Sequence, residues 1–390
     1  MSETGRRLRV VLLFGGRSAE HEVSCVSARE IAAALDPQRY EVTPIGITRD
    51  GKWLLPNISA RELSKGSRQV SDAAFEPVGE PVMLIQDPAR GEIVPLDPAA
   101  GGGVGRPDVV LAMLHGPQGE DGTVQGMLEL ADIPYVGSGV LGSALGMDKE
   151  KMKVMFRASG LPVGEFAVIR EYEWEADPKA CVKRAAELGL PCFTKPANLG
   201  SSVGISRCSD LGELESGIAE AFRHDRKVIV EEALVSREIE CGVLGNDFPE
   251  ASVCGEVIAG RDFYDYTAKY LDDSSSTVIP ADIPDEVGEL IRRYSIEAFR
   301  AIDAEGMARV DFFYDAGGRG VVVNEINTIP GFTTISMFPK LWEASGVPYD
   351  KLIDRLIELG LERHSRKRRA EDLSPPAAGL DIPRGELQGR

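Results

Sequence analysis

Leu8 to Phe14 is a nearly continuous apolar run, followed at once by Gly15-Gly16 and then by Ser18-Ala19-Glu20-His21-Glu22. The run predicts a short buried strand, and the polar segment after it predicts a helix reaching to about Leu35, so the chain opens as strand, glycine turn, helix. Tyr40 to Ile47 predicts the next strand and Asp50-Gly51 a turn. Residues 56–105 are rich in Pro, Gly and Ser with weak periodicity and read as insertion and loop with room for short strands. Order returns at Asp108 to Leu114, a buried strand that delivers His115-Gly116-Pro117-Gln118-Gly119-Glu120-Asp121-Gly122. Alternation of strands and helices implies a parallel sheet, with ligands at the carboxyl ends of its strands.

Near Met147 the texture changes to a helical Asp148-Lys149-Glu150-Lys151-Met152-Lys153, followed by α+β sequence to about residue 232. From Ile239 come strand-like segments around Val243 and Val253, a polar loop Asp262 to Ser276, a helix from about Asp285 to Ile302, and strands around Val310 and Val322. The expected division is an α/β domain over 1–147, two α+β units over 148–238 and 239–364, and a disordered tail over 365–390. The last ordered element should be a helix over Tyr349 to Glu362, since Arg366-Lys367-Arg368-Arg369 and the Pro and Gly residues beyond read as a solvated tail.

Composition narrows the function. At 390 residues, 43% hydrophobic and 27% charged, the chain has material for two or three domains. Lys+Arg 44 against Asp+Glu 62 leaves a net charge of -18, a field that repels nucleic-acid phosphates and anionic lipid but not a small anion held by a few local cations and N–H groups. No stretch approaches the roughly 18 apolar residues of a spanning helix, and no small-residue cleavage site follows the first apolar run, so a cytoplasmic chain is expected. Cys25, Cys181, Cys192, Cys208, Cys241 and Cys254 form no C-x-x-C pair and read as buried thiols in a reducing compartment.

Candidate chemistry concentrates near the C-terminus, in Arg309-Val310-Asp311 and Asn324-Glu325-Ile326-Asn327-Thr328-Ile329-Pro330-Gly331. Asp311 and Glu325 each close an apolar strand, and Asn327 lies two residues beyond Glu325, so both face one side if the pleat continues. Three oxygen ligands suit a hard cation held partly by nucleotide phosphates. A surface pair of carboxylates is the competing reading. Lys195 follows the apolar run Leu190 to Thr194 and precedes Gly200-Ser201-Ser202-Val203-Gly204, a loop whose N–H groups suit a phosphate although it is not a P-loop. The strand Lys227 to Val230 ends in Glu231-Glu232, with Glu238 beyond, a place for an adenine amino group and ribose hydroxyls or equally a solvated acidic turn.

In this order the motifs resemble the ATP-grasp superfamily and, within it, the D-alanine:D-alanine ligases. The resemblance spans about Arg9 to Glu362 and rests on GGRSAEHEVS from Gly15, LHGPQGEDGTVQG from Leu114, KPANLGSSVG from Lys195, YDYTAKYL from Tyr264 and NEINTIPGFT from Asn324. It implies a three-domain ATP-grasp fold, with ATP clasped between the central and C-terminal parts and the amino acids under the N-terminal domain. It also implies formation of D-alanyl-D-alanine through a D-alanyl phosphate, with release of ADP and phosphate, for peptidoglycan.

Position by position, the resemblance assigns Lys149, Lys195 and Ser202 to the ATP phosphates, Glu231 to the adenine side, Glu238 to the ribose and Lys269 to the transferred phosphate. Mg²⁺, one or two ions with Mn²⁺ as a substitute, falls to Asp311, Glu325 and Asn327. Glu20 receives the first substrate's ammonium, with a simple helix N-terminal charge as the alternative. His115 lies near that substrate's carboxylate and Ser336 near the second one's. Arg309 and the Gly331 N–H form the oxyanion site. Ser201 and Tyr270 join Glu20 in a hydrogen-bonded group that ties loops over the site. Tyr270 favours D-alanine over D-lactate as second substrate, D-serine being the nearest alternative, and a regulatory nucleotide binder without catalysis is the alternative from another class. A homodimer is implied by the resemblance alone.

Overall fold

The computed structural model describes residues 6–65, 76–258 and 276–373, and three sheets organise them. The first has the order β5-β4-β3-β2-β1-β6. Its β1 (Leu8–Gly15) lies parallel to β2 (Tyr40–Ile47) on one side and to β6 (Val109–Ala112) on the other. With both faces covered, β1 alternates between two cores. Val10, Leu12 and Phe14 pack with Cys25, Ala28 and Ile31 of α1 (His21–Ala34). Val11 and Leu13 pack on the other face with Val124 and Leu128. Each of these large side chains contributes about 1.5–3 kcal/mol by leaving water.

β3 (Trp53–Pro56), β4 (Gly79–Leu84) and β5 (Ile93–Pro95) extend this sheet as antiparallel strands, with α2 (Ala60–Leu63) between the first two. The region read as insertion and loop therefore adds edge strands. Val82 and Leu84 turn inward while Met83 stays exposed, a two-residue period too short to stand out among the surrounding Pro and Gly. Strand order reverses at β1, so the turns after β1 and β6 open into one crevice, where a doubly wound sheet binds ligands. The same domain contains α3 (Thr123–Leu130) and α4 (Val140–Met147).

Asp148 ends α4 and caps α5 (Lys149–Ala158) by accepting from the Lys151 N–H. The second sheet is antiparallel with order β7-β10-β8-β9, built from β7 (Phe166–Arg170), β8 (Cys192–Pro196), β9 (Ser206–Cys208) and β10 (Lys227–Glu232). Besides α6 (Glu171–Ala176), it carries α7 (Pro178–Ala186) and α8 (Leu211–Ala221), whose Cys181, Ala185, Leu214 and Ile218 close a core with Val228 and Val230.

The third sheet has the order β13-β12-β11-β14-β15, from β11 (Arg237–Gly245), β12 (Glu250–Ile258), β13 (Ser276–Val278), β14 (Gly306–Asp315) and β15 (Gly320–Asn327). Arg237 and Glu238 already belong to it, two residues before the expected boundary. α9 (Asp285–Ala301) covers one face through Ile291, Ala298 and Phe299, and α5 joins the same core through Met152 and Phe156. Along β15, Val321 and Val323 point into that core and so does Ile326, because a bulge opposite Asp311 and Phe312 inserts one residue. Without that extra residue the alternation would bury Glu325; with it, Glu325 and Asn327 share the open face with Arg309 and Asp311.

After α10 (Met337–Ala344), α11 (Tyr349–Leu373) returns to the first sheet and buries Leu352, Ile353 and Leu356 against the face of β1 that meets α1. This helix corrects the expected tail over 365–373, because it continues past Glu362 through the basic run; the rest of that tail, 374–390, lies outside the described residues. Arg363 pairs with Glu129 at 3.3 Å and stacks on the Tyr135 ring at 3.9 Å, His364 pairs with Asp132 at 2.8 Å, and Lys367 pairs with Glu129. The basic side chains thus meet acidic partners on α3 and the turn after it. No helix among the described residues is long and apolar enough to cross a membrane. All six cysteines are free and buried.

Candidate active site

Every site residue expected from the sequence that lies among the described residues lines one cleft; Lys269 and Tyr270 lie outside them. One end of the cleft, about 250 Å³, sits between the second and third sheets. The other end, about 150 Å³, lies beneath the crevice of the first sheet. Lys149, Ser201, Glu240 and Glu325 line both ends.

The end between the sheets is a charge cluster with an apolar lining. In α5, Lys149, Met152, Lys153 and Phe156 form one buried stripe at helical spacing, so its two lysines point inward. Lys149 donates to the Leu199 carbonyl at 2.7 Å and stands 3.6 Å from Glu325. Lys195 on β8 donates to Glu231 at 2.8 Å, and Lys153 lies 3.3 Å from the other oxygen of that carboxylate while donating to the Asn324 carbonyl at 2.9 Å. Burial alone would raise the Glu231 carboxyl, but the two ammonium groups outweigh it and bring it down to about 2. Burial lowers Lys153, whereas Lys195, facing Glu231 and Glu325, is held above its ordinary value despite burial. Phe193, Leu234 and Phe313 supply flat apolar surface beside these charges.

The open face of the third sheet forms the floor. Register places Glu240 beside Asp311 and Asp311 beside Glu325, so three carboxylates form a row across β11, β14 and β15, with Arg309 beside Asn327 one step along. Arg309 donates twice to Asp311, both at 2.7 Å, and lies 2.9 Å from Glu240. Burial works against its charge, and Asp311 with Glu240 more than offsets this, so the guanidinium stays protonated. Asn327 donates to Asp311 at 3.0 Å.

The far end receives side chains from the first sheet. Glu20 stands at the start of α1, accepts from the Ser201 hydroxyl, and wedges between two glycines: an added Cβ would lie 2.9 Å from its carboxylate at Gly116 and 3.1 Å at Gly200. Ser201 and Ser202 themselves have φ of 48° and 59°, the left-handed region that costs a non-glycine residue energy. His115 is 3% exposed, with Nδ1 2.9 Å from the Ile329 carbonyl and Nε2 3.4 Å from the Ser27 hydroxyl, so both ring nitrogens face protein groups. Burial lowers its pKa against the pull of Glu20. The Ser336 hydroxyl accepts from the Thr333 N–H at 3.1 Å, and Glu30 of α1 holds this loop by accepting from the Thr334 N–H.

Glu120 and Glu240 in the lining of the cleft, and Lys153 behind Glu231, were not singled out from the sequence. Lys153 repeats Lys149 one helical turn on, and Glu240 repeats Glu238 at strand period, so periodicity carried both signals. Glu120 sits inside the LHGPQGEDG motif. Its carboxylate accepts from the Gly116 N–H at 2.7 Å and the Ile329 N–H at 2.8 Å, and burial together with the charge of Glu20 pushes its carboxyl up to about 8.

Two antiparallel sheets closing on lysines and carboxylates, beside a parallel-sheet domain that supplies Glu20 and His115, define the fold class as a three-part ATP-grasp architecture. Residues 9–138 match the family model described as D-ala D-ala ligase N-terminus, and residues 155–358 the one described as D-ala D-ala ligase C-terminus. The chain belongs to the D-alanine--D-alanine ligase family. It is 48% identical over 365 residues to the D-alanine--D-alanine ligase of Geobacillus thermodenitrificans, covering 93% of this chain and 97% of that one. With the D-alanine--D-alanine ligase of Mycobacterium ulcerans it shares 48% over 373 residues, covering 93% and 98%. Among solved structures, the D-alanine-D-alanine ligase from Coxiella burnetii aligns with a TM-score of 0.80 at 36% identity, over 94% of this chain and 97% of that one. The VanG D-Ala:D-Ser ligase from Enterococcus faecalis aligns with a TM-score of 0.78 at 33% identity, over 91% and 100%.

Proposed function

We propose that the chain joins two D-alanines into D-alanyl-D-alanine through a D-alanyl phosphate, converting ATP to ADP and phosphate. The observation that carries this reading is that two cavities share a wall: a nucleotide-sized one lined by Lys149, Lys195 and Glu231 adjoins one lined by Glu20, Arg309 and Gly331, with Lys149, Ser201, Glu240 and Glu325 in both linings. A phosphate and a substrate carboxylate can therefore meet where the two adjoin.

The chemistry follows from the groups present. A carboxylate is a poor electrophile, so a carboxylate oxygen of the first D-alanine attacks the γ-phosphorus and ADP leaves. Lys149, Lys195 and the Gly200–Ser202 backbone steady the transferred charge, and Glu231 and Glu238 take the adenine and ribose ends. Lys269 is assigned to the same phosphate. The amine of the second D-alanine then attacks the acyl carbon. Arg309 and the Gly331 N–H stabilise the oxyanion, and loss of a proton and of phosphate leaves the peptide bond. Glu20 holds the first ammonium, Ser201 and Tyr270 tie the covering loops to it, His115 lines the pocket of the first substrate, and Ser336 holds the second carboxylate. Excluding water at this stage protects the acyl phosphate from hydrolysis.

Asp311, Glu325 and the Asn327 amide oxygen fit a hard cation, Mg²⁺ as one or two ions with Mn²⁺ as a substitute. They are oxygen donors aligned by strand register on the open face of the third sheet. When bound, such an ion neutralises phosphate charge. The reading also carries a three-domain division with boundaries near residues 147 and 236, the last part continuing through α11, as well as a homodimer and a cytoplasmic place of action in peptidoglycan synthesis.

The test is ADP release by the purified chain with Mg-ATP and D-alanine, against L-alanine, D-serine, D-lactate and no amino acid, with products identified by mass. D-alanine-dependent ADP release with D-alanyl-D-alanine as the main product is expected. A mixed product with D-serine or D-lactate preferred in second place, or no D-alanine-dependent turnover, would overturn the reading.

A further inference from the structure

Ile329 is held by the first domain through both of its backbone polar groups, the N–H of the peptide before it and the carbonyl of the peptide after it. Its N–H donates to Glu120 at 2.8 Å, and its carbonyl lies 2.9 Å from His115 Nδ1. Glu120 is itself anchored, since its other oxygen accepts from the Gly116 N–H at 2.7 Å, and the His115 carbonyl accepts from the Ser18 hydroxyl at 2.7 Å. Two residues after Ile329 comes Gly331, and Pro330 between them fixes φ, so little slack separates the clamped backbone from the Gly331 N–H. Glu30 of the same domain holds the loop further on, at the Thr334 N–H, whereas the clamp at Ile329 lies in the lining of the cleft.

We infer that Glu120 is a positioning residue for the ligase reaction: it holds the Ile329 N–H while His115 holds the Ile329 carbonyl, and this clamp on the backbone sets where the Gly331 N–H meets the oxyanion of the second step. The inference rests on the proposed function of this same cleft. It gives His115 a task that its two occupied ring nitrogens already fit. It also separates the two chemical steps, because phosphoryl transfer to D-alanine forms no tetrahedral carbon and does not need the Gly331 N–H, whereas attack by the amine does. Loss of the clamp should therefore slow the second step selectively and let the acyl phosphate be lost to water.

The experiment compares wild type, Glu120→Gln, His115→Ala and the double variant in steady state with Mg-ATP and D-alanine, following ADP and dipeptide separately. Glu120→Gln keeps the shape but faces one of the two N–H donors with an amide NH₂. A displacement of about 1 Å at a reacting group costs on the order of a hundredfold, so dipeptide kcat should fall by about tenfold to a hundredfold. The KM for ATP should stay within about twofold, and ADP released should exceed dipeptide formed. Because both side chains hold the backbone of one residue, the double variant should lose less than the product of the two single losses. If Glu120→Gln does not fold, Glu120→Asp, which keeps the carboxyl group but cannot span both N–H groups, is read in the same way. Unchanged kcat and an unchanged ratio of ADP to dipeptide would overturn the inference, as would a parallel loss of ATP affinity and turnover. A wild-type chain without D-alanine-dependent turnover would instead refute the proposed function itself.

Discussion

The Glu120 carboxyl makes stability depend on pH in a window where few other groups titrate. Its surroundings push it up to about 8 in the folded chain, from an ordinary 4.5. The folded state thus binds this proton more tightly than the unfolded state. The stabilisation is complete below pH 4.5, and it is lost as pH rises through 8. Integrated from pH 6 to pH 9, the difference is on the order of 3 kcal/mol. Glu120→Gln has no proton to lose, so the slope of stability against pH should flatten by that amount, whatever constant offset the amide introduces. Urea unfolding of both proteins at pH 6, 7, 8 and 9, at fixed ionic strength and without ligand, gives the two slopes. Parallel curves would refute the reasoning, because they would mean that Glu120 is ionised at no unusual cost beside Glu20.

Arg309→Ala should lower kcat by about a hundredfold to a thousandfold while the KM for ATP moves by no more than about twofold, since one oxyanion donor is lost and Arg309 itself lines only the substrate end; initial rates over ATP concentration check this. Asp311→Asn should raise the Mg²⁺ concentration required for half-maximal ADP release, and a chelator should abolish turnover in wild type; activity that survives chelation would remove the metal from the account. Arg363→Ala should destabilise the chain by about 3 kcal/mol, because it leaves Glu129 and Glu305 without the guanidinium that lies 3.3 and 3.7 Å away. Chemical unfolding measures that loss, and the KM for ATP should not follow it.

The elements that carry a strong local period were open to reading along the chain. The apolar run of β1, the alternation of β14 and the stripe Lys149, Met152, Lys153 and Phe156 need no partner to show their period. What stayed hidden depends on residues far apart. The bulge that turns Glu325 and Asn327 onto the site is a property of the pairing between β14 and β15, and nothing in Asn324 announces it. Arg366 and Lys367 look like a solvated basic tail until Asp247, Glu362 and Glu129 come beside them, and then they extend a helix. Likewise Glu231 could be an acidic turn until Lys153 and Lys195 close on it. Candidate site residues were readable where they sat in motifs, whereas Glu120, Glu240 and Lys153 acquire their meaning from cross-domain contacts and register.

The central claim is that a D-alanine carboxylate attacks phosphorus before the amine attacks carbon. D-alanine labelled with ¹⁸O in its carboxylate, turned over with unlabelled Mg-ATP, tests this most directly through the mass of the released phosphate. Transfer of one ¹⁸O from D-alanine to phosphate for each dipeptide formed is the predicted result. Phosphate carrying no label, with dipeptide still produced, would contradict the acyl phosphate and with it the account of the cleft.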